Sequence, residues 1–150
     1  MVLEWDHLSR GGFILPFVEF KWRDYAMIDF KNGSLIKLKK NNTPTHVSSV
    51  QPLMVLGERV ISEYVAIRDY IIFTNKRIIA VNVQGVTGKK KDFTTLPYSK
   101  IQAFSIETAG VLDLDSELEI YFSGLGKVKF EIAGKNDIAE IGKIISEKIL

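Results

Sequence analysis

Side chains able to do chemistry are sparse in this sequence, and most of them gather in two charged runs. Lys89, Lys90 and Lys91 follow Gly85-Val86-Thr87-Gly88, which approaches a phosphate-cradling loop. That loop needs GxxxxGK[ST] between a strand and a helix. Here the glycines stand too close together, and a strand pattern follows. The second run is Asp113, Asp115, Glu117 and Glu119. Strand alternation places all four carboxylates on one face. A calcium loop instead wraps its oxygens around one ion, with a glycine midway. An extended row cannot converge in that way. Its repulsion calls for basic neighbours, and Lys127 and Lys129 on the following strand are the expected cross-strand partners.

Other chemistry has less to stand on. The chain has no Cys, which removes disulfides, thiolate metal sites and a Cys nucleophile. Both histidines, His7 and His46, precede the strand-rich body. Glu107 and Thr108 pair an acid with a hydroxyl, but nothing nearby in sequence would orient them. No catalytic residue, cofactor site or metal site is assigned, and the chain reads as a non-enzyme. Arg68 and Asp69 are expected to clamp a tight turn by pairing with Lys76 or Arg77 across it. Tyr98 is expected to bury its ring and keep its hydroxyl at the rim.

These residues sit on a chain long enough, at 150 residues, for one domain with a proper core. A net charge of +2, with acids and bases interspersed, creates no field that calls for nucleic acid. Basic residues and aromatics also do not interleave on one face, so a nucleic-acid partner is not expected. No apolar run approaches the roughly 18–20 residues that span a bilayer. The expected location is the cytoplasm, with the inner membrane face as a peripheral alternative.

Three regions are expected. Residues 1–26 are aromatic without a sustained period. They form either an extension or a stretch preceding a true start at Met27, since Trp22-Arg23 can be encoded by a ribosome-binding sequence. Residues 27–57 read as a lead-in. Met27–Phe30 and Leu35–Leu38 flank Asn32-Gly33, a strong hairpin signal, and Val47, Val50, Leu53 and Met54 mark a short helix. Thr43 or Thr45 is its candidate N-cap, and Pro52 limits its length.

Residues 58–150 carry the body. Strands are expected at Val60–Ile67, Tyr70–Thr74, Ile78–Val83, Lys89–Leu96 and around Ile101–Ile106. Leu112, Leu114, Leu118, Ile120 and Phe122 then alternate with Asp113, Asp115, Glu117, Glu119 and Tyr121, and Lys127–Ile132 completes seven. The period then switches. Ile138, Ile141, Ile144, Ile145, Lys148 and Ile149 share a helical stripe, with Asp137 and Glu140 as a capping-box start. Seven antiparallel strands forming a barrel or two packed sheets, with a terminal amphipathic helix over one end, is the architecture of a pleckstrin homology (PH) domain.

The residues themselves also resemble the bacterial pleckstrin-homology-like family. The similarity lies in Arg68-Asp69, Phe73-Thr74-Asn75-Lys76-Arg77, Gln84-Gly85-Val86-Thr87-Gly88-Lys89-Lys90 and Leu96-Pro97-Tyr98. It continues in Glu107-Thr108-Ala109-Gly110 and Asp113-Leu114-Asp115-Ser116-Glu117-Leu118. It covers about residues 53–150, and the lead-in from Met27 looks like that of some members. The resemblance implies a seven-stranded barrel with a C-terminal helix, assembly into cyclic rings, and no established biochemical activity.

The expected function is therefore a binding or scaffold module forming a homo-oligomeric ring, with protein partners open. Arg68, Asp69, Thr87, Lys89, Lys90, Lys91, Asp113, Asp115, Glu117 and Glu119 are the candidate contacts. The rival is a peripheral module reading acidic lipid. Three lysines, at about 1 kcal/mol each near an acidic leaflet, make a weak sole anchor. The acidic row meeting the lysine run of a neighbouring subunit would suit a head-to-tail contact.

Overall fold

The two-residue apolar period becomes eight strands over the residues that the computed structural model describes, 37–134 and 137–150. A two-residue strand β1 (Lys39–Lys40) precedes helix α1 (Val47–Val50), which a 3-10 turn extends over Gln51–Leu53. Strands β2 (Val60–Val65), β3 (Tyr70–Thr74), β4 (Arg77–Gln84) and β5 (Lys90–Pro97) follow. A 3-10 turn at Tyr98–Lys100 leads to β6 (Ile101–Glu107), β7 (Asp115–Phe122) and β8 (Gly126–Ala133), and α2 (Asp137–Ile149) ends the chain. The expected extension over residues 1–26, and the Asn32-Gly33 hairpin except Lys37 and Leu38, lie outside the described residues.

All ladders are antiparallel, in a five-stranded sheet β1-β2-β3-β4-β5 and a three-stranded sheet β6-β7-β8. The sheets do not close into a barrel. They meet on one side through Leu38, whose N–H donates to Glu131 O at 2.9 Å and whose carbonyl accepts from Ala133 N at 2.8 Å. No ladder joins β5 to β6 on the other side among the described residues. The strand count is eight rather than seven because Lys39 and Lys40 pair with Val65 and Tyr64.

Alternation divides the five-stranded sheet into two apolar faces. Tyr64, Ile71, Phe73, Ile78, Ala80 and Leu96 face the three-stranded sheet and the helix, meeting Leu118, Ile120, Phe130 and Ile132 with Ile138, Ile141 and Ile145 of α2. Tyr70, Ile72, Ile79 and Val81 form a second cluster with Val50 of α1. Burying both faces explains why β3 is apolar at nearly every position. Lys148 belongs to the exposed side of α2, outside the stripe that reaches the core.

Local expectations are revised at three places. The N-cap of α1 is His46, not a threonine, and it makes no side-chain capping bond, because Thr45 is held by a strand residue described below. Asp137 is the first residue of α2, so it and Glu140 both occupy the first turn, where the helix dipole favours them. Glu140 also pairs with Lys40 of β1. Finally, β7 starts at Asp115, leaving Leu112 and Leu114 in an exposed loop rather than facing inward.

Candidate functional site

Arg68 and Asp69 stand in the turn between β2 and β3, closed by the Ala66 N–H donating to Asp69 O at 2.7 Å. Their partners are not Lys76 or Arg77. The Asp69 carboxylate accepts from Val83 N at 2.8 Å and Asn82 Nδ2 at 3.1 Å, and the Arg68 guanidinium donates to Gly85 O. The two charges therefore latch the β2–β3 turn onto the β4–β5 loop. That loop relies on left-handed backbone at Gly85 (φ 74°) and Gly88 (φ 65°), which glycine adopts without steric cost. A β-carbon at Gly88 would also lie 3.3 Å from Val83 Cγ1.

Beyond the latch the loop is open. Thr87, Lys89, Lys90 and Lys91 are all exposed, and the last two begin β5. Ile67 and Val86, the apolar tips of the two latched loops, are fully exposed. One rim of the five-stranded sheet thus carries two bare apolar tips beside three lysines that have no ion-pair partner among the described residues.

The acidic row lies elsewhere and is largely neutralised. Lys127 Nζ meets Glu119 at 3.0 Å and Lys129 Nζ meets Glu117 at 2.7 Å, each reaching diagonally across the β7–β8 ladder, in which Lys129 directly faces Glu119 and Lys127 faces Tyr121. The Lys127 amine, with help from nearby charge, holds the Glu119 carboxyl below its usual range, and both lysines are raised in turn. Asp115 faces Lys37 at 3.6 Å. Asp113 is not on the strand face. It turns back so that Oδ1 accepts from Asp115 N at 3.1 Å. The row and the lysine run are not brought together within the chain. Among the described residues no cluster of three or more His, Asp or Glu is arranged to hold a metal.

Two carboxylates carry more structure than their sequence context suggested. Glu63 of β2 is fully buried opposite Ile72. It accepts from Asn41 Nδ2 at 2.7 Å, Thr45 N at 3.3 Å, His46 N at 3.0 Å and the His46 ring Nδ1 at 3.0 Å. Burial pushes this carboxyl up, yet the hydrogen bonds outweigh it and hold the group below its usual range. The His46 ring stacks on Tyr70 with centroids 4.1 Å apart, and Tyr70 shares a 2.6 Å hydrogen bond with Ser49. The lead-in is therefore pinned to the sheet by one acid. The available signal was a lone Glu between Ile61 and Val65 in a strand with apolar neighbours.

Glu58 does the same for the β3–β4 turn. Burial raises its carboxyl, but Arg77, Val55 N and Thr74 more than compensate and bring it down to about 2. Arg77 also donates to Leu53 O at 2.6 Å and Thr95 Oγ1 at 2.9 Å. The Tyr98 hydroxyl is buried rather than at the rim, and donates to Thr74 O at 2.8 Å. Burial, reinforced by the Glu58 charge, pushes this phenol upward. These groups fasten turns. None presents a nucleophile to a base, and Glu107 and Thr108 lie exposed at the end of β6.

Comparison with known proteins agrees with this architecture. The bacterial PH domain family model matches residues 29–149. The uncharacterized protein YjqA of Bacillus subtilis is 39% identical over 119 residues, which is 78% of this chain and 95% of that protein. A crystal structure of a protein with a pleckstrin-homology domain from Shewanella loihica superposes with a TM-score of 0.67 at 36% identity, covering 76% of this chain and 98% of the other. A pleckstrin homology domain from Shewanella amazonensis gives 0.56 at 35% identity, covering 69% and 85%. With two antiparallel sheets, a terminal helix and a family match across most of its length, the chain belongs to the bacterial PH domain family.

Proposed function

We propose that this PH domain is a non-enzymatic binding and scaffold module that assembles with copies of itself into a closed ring. The observation supporting this reading is the open side of the sandwich. Strands β5 and β6 each present one edge without a ladder among the described residues. An open edge is a row of unpaired donors and acceptors, and folded proteins usually cover it, twist it away or place Lys or Pro along it. The β6 stretch Ile101–Ile106 carries no such residue, whereas β5 starts with Lys90 and Lys91 and ends at Pro97. A second copy is a partner that is always present, and repeated head-to-tail contacts close into a ring when the rotation allows. Light scattering on a size-exclusion column tests this. A discrete multiple of the 17.0 kDa subunit supports it, and a monomer refutes it.

A second reading rests on the rim of Ile67 and Val86 beside Lys89, Lys90 and Lys91. Apolar tips next to unpaired cations suit the surface of an acidic bilayer, and repetition around a ring would multiply a weak contact. Vesicles containing phosphatidylserine would then sediment with the protein at low salt and release it at high salt. The Lys89→Ala, Lys90→Ala, Lys91→Ala variant should lose that binding. Binding that ignores both salt and the lysines retires this reading.

A further inference from the structure

We infer that residues 42–52 are a hinged lid, which lifts off the five-stranded sheet as one unit while the two-sheet core stays closed. Lifting bares the apolar face formed by Tyr70, Ile72, Ile79 and Val81. Glu63 is the latch that sets how often the lid lifts.

Strands β3 and β4 do not need the lid to stay folded. Their Ile71, Phe73, Ile78 and Ala80 lie in the core shared with the three-stranded sheet and α2. The residues between them, Tyr70, Ile72, Ile79 and Val81, belong to a separate cluster whose remaining buried member is Val50 of the lid. Each strand thus has one face held by the main core and one face roofed by a short local segment. Proteins open along such divisions, because a segment with few buried apolar contacts can leave without the rest.

The lid has little structure of its own. Helix α1 spans four residues and has no side-chain cap, and the 3-10 turn after it contains Pro52, which brings no N–H. A helix this short does not hold itself in water, so the lid keeps its shape only against the sheet. Val50 is its one fully buried side chain.

Its attachments are polar and gather on one carboxylate. Thr45 N, His46 N and the His46 ring all donate to Glu63, and Ser49 shares a hydrogen bond with Tyr70. Once the lid lifts, water reaches Glu63 and its donors, so opening strands no buried charge. Both ends are fixed in place. Asn41 N donates to Glu63 O at 2.8 Å just after Lys40 leaves its ladder with Tyr64. At the other end Arg77 holds Leu53 O, and Val55 N donates to Glu58 at 3.0 Å. A segment fastened at both ends and latched in the middle moves as a flap.

The chain has no native Cys, so a single thiol in β4 reports which face opens. Ala80 and Val81 are neighbours and fully buried, one facing the main core and the other the lid. Full-length chains carrying Ala80→Cys or Val81→Cys are treated with excess thiol reagent at neutral pH, over urea concentrations below the unfolding transition. Val81→Cys should react at least about 100-fold faster than Ala80→Cys, at a rate nearly flat in urea because a small opening exposes little surface. Ala80→Cys should react only through global unfolding, at a rate that climbs steeply with urea. Adding Glu63→Gln should speed Val81→Cys labelling about tenfold. Hydrogen exchange on the unsubstituted chain decides the matter if a Cys variant fails to fold. There the amides of His46, Ser49 and Gln51 should share one urea-insensitive rate, well above that of the β3 and β4 ladder amides. Equal rates and equal urea slopes for the two thiols in folded variants, or lid amides that exchange together with the ladder, overturn the lid. A Val81→Cys rate unmoved by Glu63→Gln overturns the latch.

Discussion

Gly142 and Ile106 touch where α2 lies on β6, and a side chain at the glycine would force the end of the Ile106 side chain to move. A β-carbon there would stand 2.3 Å from Ile106 Cδ1 and 3.8 Å from Phe104 Cε2. The helix is thereby seated on the strand that forms one open edge of the sandwich, which ties core packing to the proposed assembly surface.

Gly142→Ala tests this seating. Alanine favours a helix by about 1 kcal/mol over glycine, but here the terminal methyl of Ile106 must move, and overpacking costs about 1–3 kcal/mol. The expected net effect in chemical denaturation is a loss of roughly 1 kcal/mol. Ile106→Val, which shortens the obstructing arm, should recover most of it in the double variant. A single variant more stable than the parent would show that the Ile106 side chain gives way without cost and that the glycine is not required there.

Glu63→Gln tests the pinning of the lead-in. The amide would set an N–H against the donors of Asn41, Thr45 and His46, leaving buried groups unpaired. The loss should be about 2 kcal/mol. Hydrogen exchange at the Thr45 and His46 amides should accelerate, while β4 amides exchange as before. Unchanged exchange at those two amides would mean that the carboxylate does not hold the segment.

Acid sensitivity follows from Glu58 and Glu63. Both carboxyls are held below their unfolded value, Glu58 at about 2 against 4.5. The unfolded chain binds these protons more readily, so their stabilisation is complete above roughly pH 5 and is lost as pH falls towards 2. The midpoint of thermal unfolding should fall steeply across that interval. Glu58→Gln should be less stable at neutral pH and should show a shallower acid slope. An equal slope in variant and parent would assign the acid loss to other groups.

Much of the fold was legible because it rests on alternation and glycine turns. Tyr70–Thr74 reads as a strand from its apolar and β-branched residues, and α2 reads from the isoleucine stripe that reaches the core. The Lys127 and Lys129 pairing followed from strand order alone. What escaped depends on where strands stop and which faces meet. Leu112 and Leu114 fit the alternation, yet they stand outside β7 because the turn at Asp113 consumes those residues. Arg68 and Asp69 were expected to reach Lys76 or Arg77, but β2–β3 and β4–β5 share an end of the sheet, which brings Gly85 and Val83 to them instead. The Glu63 cluster joins residues of the lead-in to a strand through tertiary packing, which no local period reports. Closure was also beyond the sequence pattern, since strand order does not say whether β5 and β6 pair.

The most direct test of the scaffold account is the mass of the full chain in solution by light scattering. The account predicts a single species at a discrete multiple of 17.0 kDa that persists in high salt. A species at the mass of one chain, across a wide range of protein concentration, would contradict it.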